Sequence, residues 1–186
     1  MTTLEKGDAL IIVDVQNDFL PGGSLAVPEG DQVVPPLNDL IDKAGKKNLP
    51  VFATRDWHPE NHSSFQANGG TWPPHCVRGT HGAEFSADLK LPGNVTVISK
   101  ATAADQDAYS GFEGTDLHDR LQKLGVKRLF IGGLATDYCV LNTVKDALKH
   151  GYQVFWLENA SRAVNVNSGD GQKAADEMIR LGAKTT

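Results

Sequence analysis

Arg128-Leu-Phe-Ile-Gly-Gly-Leu-Ala-Thr-Asp-Tyr-Cys-Val140 is the stretch that decides the fold. Its first four residues form a short apolar run of strand type, and Leu141, Val144 and Leu148 then recur at helical spacing. Lys145, Lys149 and His150 precede Gly151, so the helix ends with cations in its last turn and a glycine past it. The stretch reads as strand, tight turn and helix, with Cys139 close to the helix N-terminus. Unpaired backbone N–H groups and the positive end of the helix dipole favour a thiolate there, and the same groups suit a developing oxyanion. A buried, inert cysteine in an ordinary strand-to-helix turn fits this stretch equally well. A nucleophile needs partners, so the rest of the chain decides.

Working outward, Asp8-Ala-Leu-Ile-Ile-Val-Asp14 is a continuous apolar run ending in an acid, as in a strand buried on both faces of a parallel sheet. Pro21-Gly-Gly23 marks a loop, and Val33, Leu37, Leu40, Ile41 and Ala44 then share one helix face, with Pro35 and Pro36 tolerable only in its first turn. Pro50-Val-Phe-Ala-Thr54 and Val95-Thr-Val-Ile98 read as further strands, the latter closed by Ser99 and Lys100. Between them, residues 55–91 are polar and rich in Gly, Pro, His and Trp, a length that in a compact domain signals function. Leu117, Leu121 and Leu124 mark a helix stopped by Gly125; residues 152–157 read as a fifth strand. Ala175, Met178 and Ile179 mark a last helix starting near Ser168 or Asp170, with a short sixth edge strand expected within 182–186. The alternation predicts a single α/β domain over residues 1–186, a three-layer αβα sandwich on a mainly parallel open sheet.

Composition narrows the function. A net charge of −5, with basic residues only in small solvated groups, argues against nucleic acid or an anionic membrane as partner. The run 9–13 is too short to span a bilayer and lacks a signal-peptide layout. Cys76 and Cys139 are expected as free thiols in a reducing cytoplasm.

Asp14, Lys100 and Cys139 each stand at or just past the end of a buried strand. Alone, they read as a capping acid, a surface lysine and a core cysteine. Together they converge on one sheet edge, where an ammonium lowers a thiol pKa and a carboxylate accepts its proton. A second constellation is Asp56-Trp-His-Pro-Glu-Asn-His62 with Trp72-Pro-Pro-His75. Asp56 and His58 lie on the same side of extended chain. An acid and three histidines just past a strand suit Zn²⁺, Fe²⁺ or Mn²⁺ better than Ca²⁺ or Mg²⁺. His58-Pro-Glu-Asn-His62 misplaces the Glu of the helical zinc-protease signature, which excludes that class. Cys76 ranks below Asp56 as a ligand.

These stretches, together with Asp14-Val-Gln-Asn-Asp-Phe19 and Tyr109-Ser-Gly-Phe112, resemble the nicotinamidase/pyrazinamidase branch of the isochorismatase-like cysteine hydrolases. The resemblance implies Cys139 as nucleophile, Asp14 as general base and acid, and Lys100 as the cation that holds both. It implies an oxyanion hole from the backbone N–H groups of Ala135 and Cys139, with a cis peptide at Leu134–Ala135. Asp56, His58, His62 and His75 would ligate one divalent transition metal, zinc first, with iron or manganese as alternatives. Phe19, Trp72, Tyr109 and Tyr138 would bind the flat ring of nicotinamide or pyrazinamide, although Tyr138 stands where some relatives carry His. The implied reaction is amide hydrolysis to nicotinate and ammonia through a thioester, in NAD salvage, by a cytoplasmic monomer or homo-oligomer. Rival readings are a related hydrolase of another amide or of isochorismate, a metal-water hydrolase, and a non-catalytic binding module on the same fold.

Overall fold

The computed structural model describes residues 3–186. Its strands are β1 (Asp8–Val13), β2 (Val51–Asp56), β3 (Thr96–Lys100), β4 (Arg128–Leu134), β5 (Gln153–Arg162) and β6 (Lys184–Thr185). They form one sheet in the order β3-β2-β1-β4-β5-β6, and each adjacent pair is parallel. Helix α1 (Val34–Lys46) follows β1, with Pro35 and Pro36 in its first turn, where missing N–H groups cost nothing. Helices α2 (Leu117–Lys123), α3 (Leu141–Lys149) and α4 (Asp170–Arg180) follow β3, β4 and β5.

Alternation along β1 sorts the core into two layers. Leu10 and Ile12 face Leu37, Ile41 and Ala44 of α1. Ala9, Ile11 and Val13 face Leu117 and Leu121 of α2, Val144 and Ala147 of α3, and Ala175 and Met178 of α4. All six residues of β1 are buried, which explains its unbroken apolar run.

The chain moves outward in one direction from β1 to β2 and β3, and in the other from β4 to β5 and β6. The crevice beyond the carboxyl ends of β1 and β4 is therefore the switch point at which open α/β sheets bind ligands. Gly133, at φ 125°, lies so close to Val13 that a side chain there would run into the Val13 backbone. Strand β5 exceeds the expected 152–157. After a register shift opposite Ile131 and Gly133, it rejoins β4 at Ser161 and Arg162. Exposed Glu158 and Asn159 interrupt its apolar pattern and hide the extension. The expected short edge strand is β6, paired with Phe155 and Trp156. No helix among the described residues is long and apolar enough to cross a membrane.

Candidate active site

Asp14 follows β1 in a left-handed conformation, φ 49°, a geometry that costs a non-glycine residue about 1–2 kcal/mol and turns its carboxylate into the crevice. Lys100 ends β3 in register with Asp56 of β2 and reaches across to the end of β1. Its Nζ lies 2.9 Å from Asp14 Oδ2 and 3.5 Å from Cys139 Sγ, and it donates a short hydrogen bond to Asp56 Oδ1. Lys100 and Asp14 are almost wholly shielded from solvent. Asp14 Oδ1 accepts a hydrogen bond from the Thr54 hydroxyl at 2.7 Å. Oδ2 lacks a donor in hydrogen-bonding alignment, since the nearby Lys100 approaches off that direction. The Asp14 carboxylate is within hydrogen-bonding reach of the Cys139 thiol and can take its proton.

A buried ammonium survives here because it is shared between carboxylates. Burial works to lower the Lys100 pKa, yet Asp14, Asp56 and Cys139 drive it well above the usual range. Burial raises Asp14, with Lys100 opposing and Asp56 adding. The expectation that Lys100 and the helix N-terminus depress the Cys139 thiol is corrected: burial pushes it well up, Lys100 opposes, and Asp14 and Asp56 add. Thr136–Val140 is a π-helical turn and the α-helix begins only at Leu141, so Cys139 precedes the regular helix rather than capping it. The thiol stands beside a base. The Leu134–Ala135 peptide is cis, as the resemblance implies. Ala135 O accepts the N–H groups of Tyr138 and Val140, and not that of Cys139.

The donor cluster lies beyond β2. Asp56 Oδ2 is 4.0 Å from His58 Nε2 and 3.9 Å from His75 Nε2, and all three residues are buried. His58 Nδ1 lies 2.9 Å from His75 O, and His75 Nδ1 lies 2.8 Å from Pro73 O. Carbonyl partners place the proton on Nδ1, so both Nε2 lone pairs point at the shared centre. Burial pushes His58 down to about 4, which keeps its ring neutral. Burial would raise Asp56, but Lys100, His58 and His75 outweigh it and hold the carboxyl below the usual range. One carboxylate and two imidazoles fit a divalent transition metal with positions left open. His62 groups with His58 and Asp107 rather than with Asp56 and His75: its ring stacks on His58 at 4.2 Å, while its nitrogens engage Ser64 and the Gln106 carbonyl.

A narrow cleft joins the two clusters. Cys139, Ala135, Asp56 and His75 line it, together with the expected Phe19, Trp72, Tyr109 and Tyr138. Trp72 meets Tyr138 edge-to-face at 5.2 Å and donates its indole N–H to the Tyr109 hydroxyl. Leu134, from the motif around Cys139, completes the wall with Leu25, Val27 and Val164, which no motif marks.

Other residues were missed because their partners are backbone groups of distant segments. Buried Gln16 donates to Asp56 O and Ala83 O and accepts from Asp56 N–H, clamping the strand end that carries the donor acid. Asp18 accepts the N–H of Cys76 at 2.7 Å. Asp137 accepts those of Val164 and Asn165, fixing one cleft wall. The only advance signal was their place inside the two motifs.

An isochorismatase domain model matches residues 8–186. The nicotinamidase/pyrazinamidase of Mycobacterium tuberculosis is 41% identical over 180 residues, covering 92% of this chain and 94% of that protein. The nicotinamidase of Escherichia coli is 39% identical over 196 residues, covering 94% and 92% respectively. The crystal structure of a pyrazinamidase of Pyrococcus horikoshii in complex with zinc is 51% identical, with a TM-score of 0.93 over 97% of this chain and 98% of that one.

Proposed function

This chain belongs to the isochorismatase family, and from that premise we propose that it is a nicotinamidase, a cysteine amidohydrolase that converts nicotinamide to nicotinate and ammonia and accepts pyrazinamide. The observation that carries the reading is that Cys139 Sγ and the Asp56–His75 donor pair open on the same aromatic-walled cleft. A flat heteroaromatic amide can present its carboxamide to the thiol and its ring nitrogen to the donor centre at once.

Asp14 takes the thiol proton, its burial-raised pKa making it a stronger base than an exposed carboxylate. Sγ forms a bond to the carboxamide carbon, and the N–H groups of Ala135 and Cys139 receive the oxyanion. Lys100 holds the charge of Asp14 and the thiolate throughout. As the C–N bond breaks, Asp14 returns the proton to the departing ammonia. Water, deprotonated by the same carboxylate, then cleaves the thioester and restores the thiol. Phe19, Trp72, Tyr109 and Tyr138 orient the ring and exclude water. Asp56, His58 and His75 would hold the metal, zinc first among divalent transition ions, whose chemistry there is Lewis acceptance of the ring nitrogen. The role is NAD salvage in the cytoplasm.

A panel of nicotinamide, pyrazinamide, aliphatic amides and isochorismate, each with and without chelator, tests the reading. Ammonia from the two heteroaromatic amides and no turnover of isochorismate is expected. Isochorismate turnover, or no ammonia from any amide, contradicts it.

A further inference from the structure

The Tyr109-Ser-Gly-Phe112 motif supplies the cleft with Tyr109, which leaves its glycine without a role. Gly111 has no positive φ, so backbone conformation does not demand glycine there. Space does. A Cβ on Gly111 would stand 2.8 Å from Thr54 Cγ2, 3.5 Å from Leu117 Cδ2 and 3.7 Å from Thr143 Cγ2. The two threonines are fully buried and come from different elements, Thr54 from β2 and Thr143 from α3.

Each threonine reaches one of the two reacting residues. The Thr54 hydroxyl donates to Asp14 Oδ1 at 2.7 Å. The Thr143 hydroxyl donates to the Cys139 carbonyl at 2.6 Å and accepts the Gly111 N–H at 3.0 Å. Bonding back to the carbonyl four residues earlier is ordinary for a helical threonine; the second bond, to a separate loop, is not. The Gly111 carbonyl in turn accepts from the Thr115 hydroxyl at 2.6 Å, so the glycine is held from both sides. A threonine carries its methyl and hydroxyl on one Cβ with few χ1 rotamers, so a push on Thr54 Cγ2 swings its hydroxyl away from Asp14. Crowding at Gly111 is therefore felt by the acid through Thr54 and by the nucleophile turn through Thr143.

We propose that Gly111 is a positioning residue: its missing side chain lets Thr54 and Thr143 close on one point, which aligns the Asp14 carboxylate with the Cys139 thiol. None of the three lines the cleft; they act through Asp14 and Cys139. The inference rests on the Cys139–Asp14 pairing of the nicotinamidase reading, and only its kinetic arm needs nicotinamide as the substrate.

Gly111→Ala is made in the intact protein and in Thr54→Ser, which keeps the hydroxyl but removes the methyl that the new Cβ would meet. Three quantities are measured: kcat and KM for nicotinamide, the thermal midpoint, and the rate at which iodoacetamide alkylates Cys139, followed on the peptide that carries it. In that alkylation Sγ displaces iodide and Asp14 receives the thiol proton, so the same alignment is read without substrate. Misaligned reacting groups predict that Gly111→Ala lowers kcat by about 10- to 100-fold, with KM within about threefold, and slows alkylation by about tenfold. In the Thr54→Ser background the same change should cost about threefold or less in either rate, the mark of a direct pairwise clash. Thr143→Val should lower kcat by about tenfold, and Thr143→Ser, which retains the hydroxyl, should recover most of that loss. An unchanged kcat in Gly111→Ala, or an equal loss in both backgrounds, overturns the proposal whatever the thermal midpoint does. If Gly111→Ala does not fold, the Thr143 pair decides: recovery in Thr143→Ser supports the proposal, and equal kcat in the two variants contradicts it. If the intact protein releases no ammonia from nicotinamide, that reading fails, and the alkylation rates decide the role of Gly111 by the same comparison.

Discussion

Cys139 and Cys76 are the only cysteines of the chain; both are buried, and burial pushes both thiols well above their ordinary pKa. Cys139 has Lys100 Nζ at 3.5 Å, a carboxylate ready for its proton, and an opening onto the cleft. Cys76 lies in the apolar core, and its connections are backbone ones: its N–H binds Asp18 and its carbonyl accepts the N–H of His58. It holds a left-handed turn at φ 48° directly after His75. One cysteine is placed for its sulfur, the other for its main chain. Burial acts on both thiols alike; what separates them is a base and a cation within reach of one sulfur.

Substitutions can break this contrast in order of size. Cys139→Ala should lower the rate of ammonia release from nicotinamide by about 10⁴-fold or more, with the metal retained. Asp14→Asn should cost about 10²- to 10⁴-fold in kcat, since the amide cannot take the thiol proton. Lys100→Met should abolish activity and also destabilise the fold by about 3–5 kcal/mol on chemical denaturation, because Asp14 and Asp56 are left facing each other in the core. Cys76→Ala should leave kcat within about threefold and cost only about 1–2 kcal/mol, a small cavity in apolar surroundings.

The pH profile sharpens the same contrast. Asp14 must be ionised to act, and its folded pKa is raised, so kcat/KM should fall with decreasing pH at a value above that of an ordinary carboxylate. For stability the sign is opposite: a raised folded pKa favours the protonated carboxyl. That contribution is present below the unfolded pKa and is lost as pH rises through the folded one. Asp14→Asn should remove both dependences in paired kinetic and denaturation series.

Much of this was legible because parallel strands buried on both faces leave a simple record. The unbroken apolar run of β1 leads into Asp14, and the shorter apolar cores of β2 and β3 lead into Asp56 and Lys100, so each names the residue delivered to the sheet edge. The turn at Cys139 was legible in outline, but its π-helical form was not, since no residue type in Thr136–Val140 demands it. The donor set was legible by composition. The placement of His62 beside His58 and Asp107 was not, because the ring is engaged by the carbonyl of Gln106, 44 residues further on. Gln16 and Asp137 escaped for the same reason: a side chain bonded to a distant backbone leaves no periodic trace.

The most direct test of covalent catalysis by Cys139 is to hydrolyse nicotinamide in the presence of hydroxylamine. A Cys139 thioester is open to either nucleophile, so nicotinohydroxamic acid should accumulate beside nicotinate in proportion to hydroxylamine, while one ammonia is released per product molecule. Nicotinate alone at every hydroxylamine concentration would mean that water attacks the amide directly and that the sulfur of Cys139 is not the nucleophile.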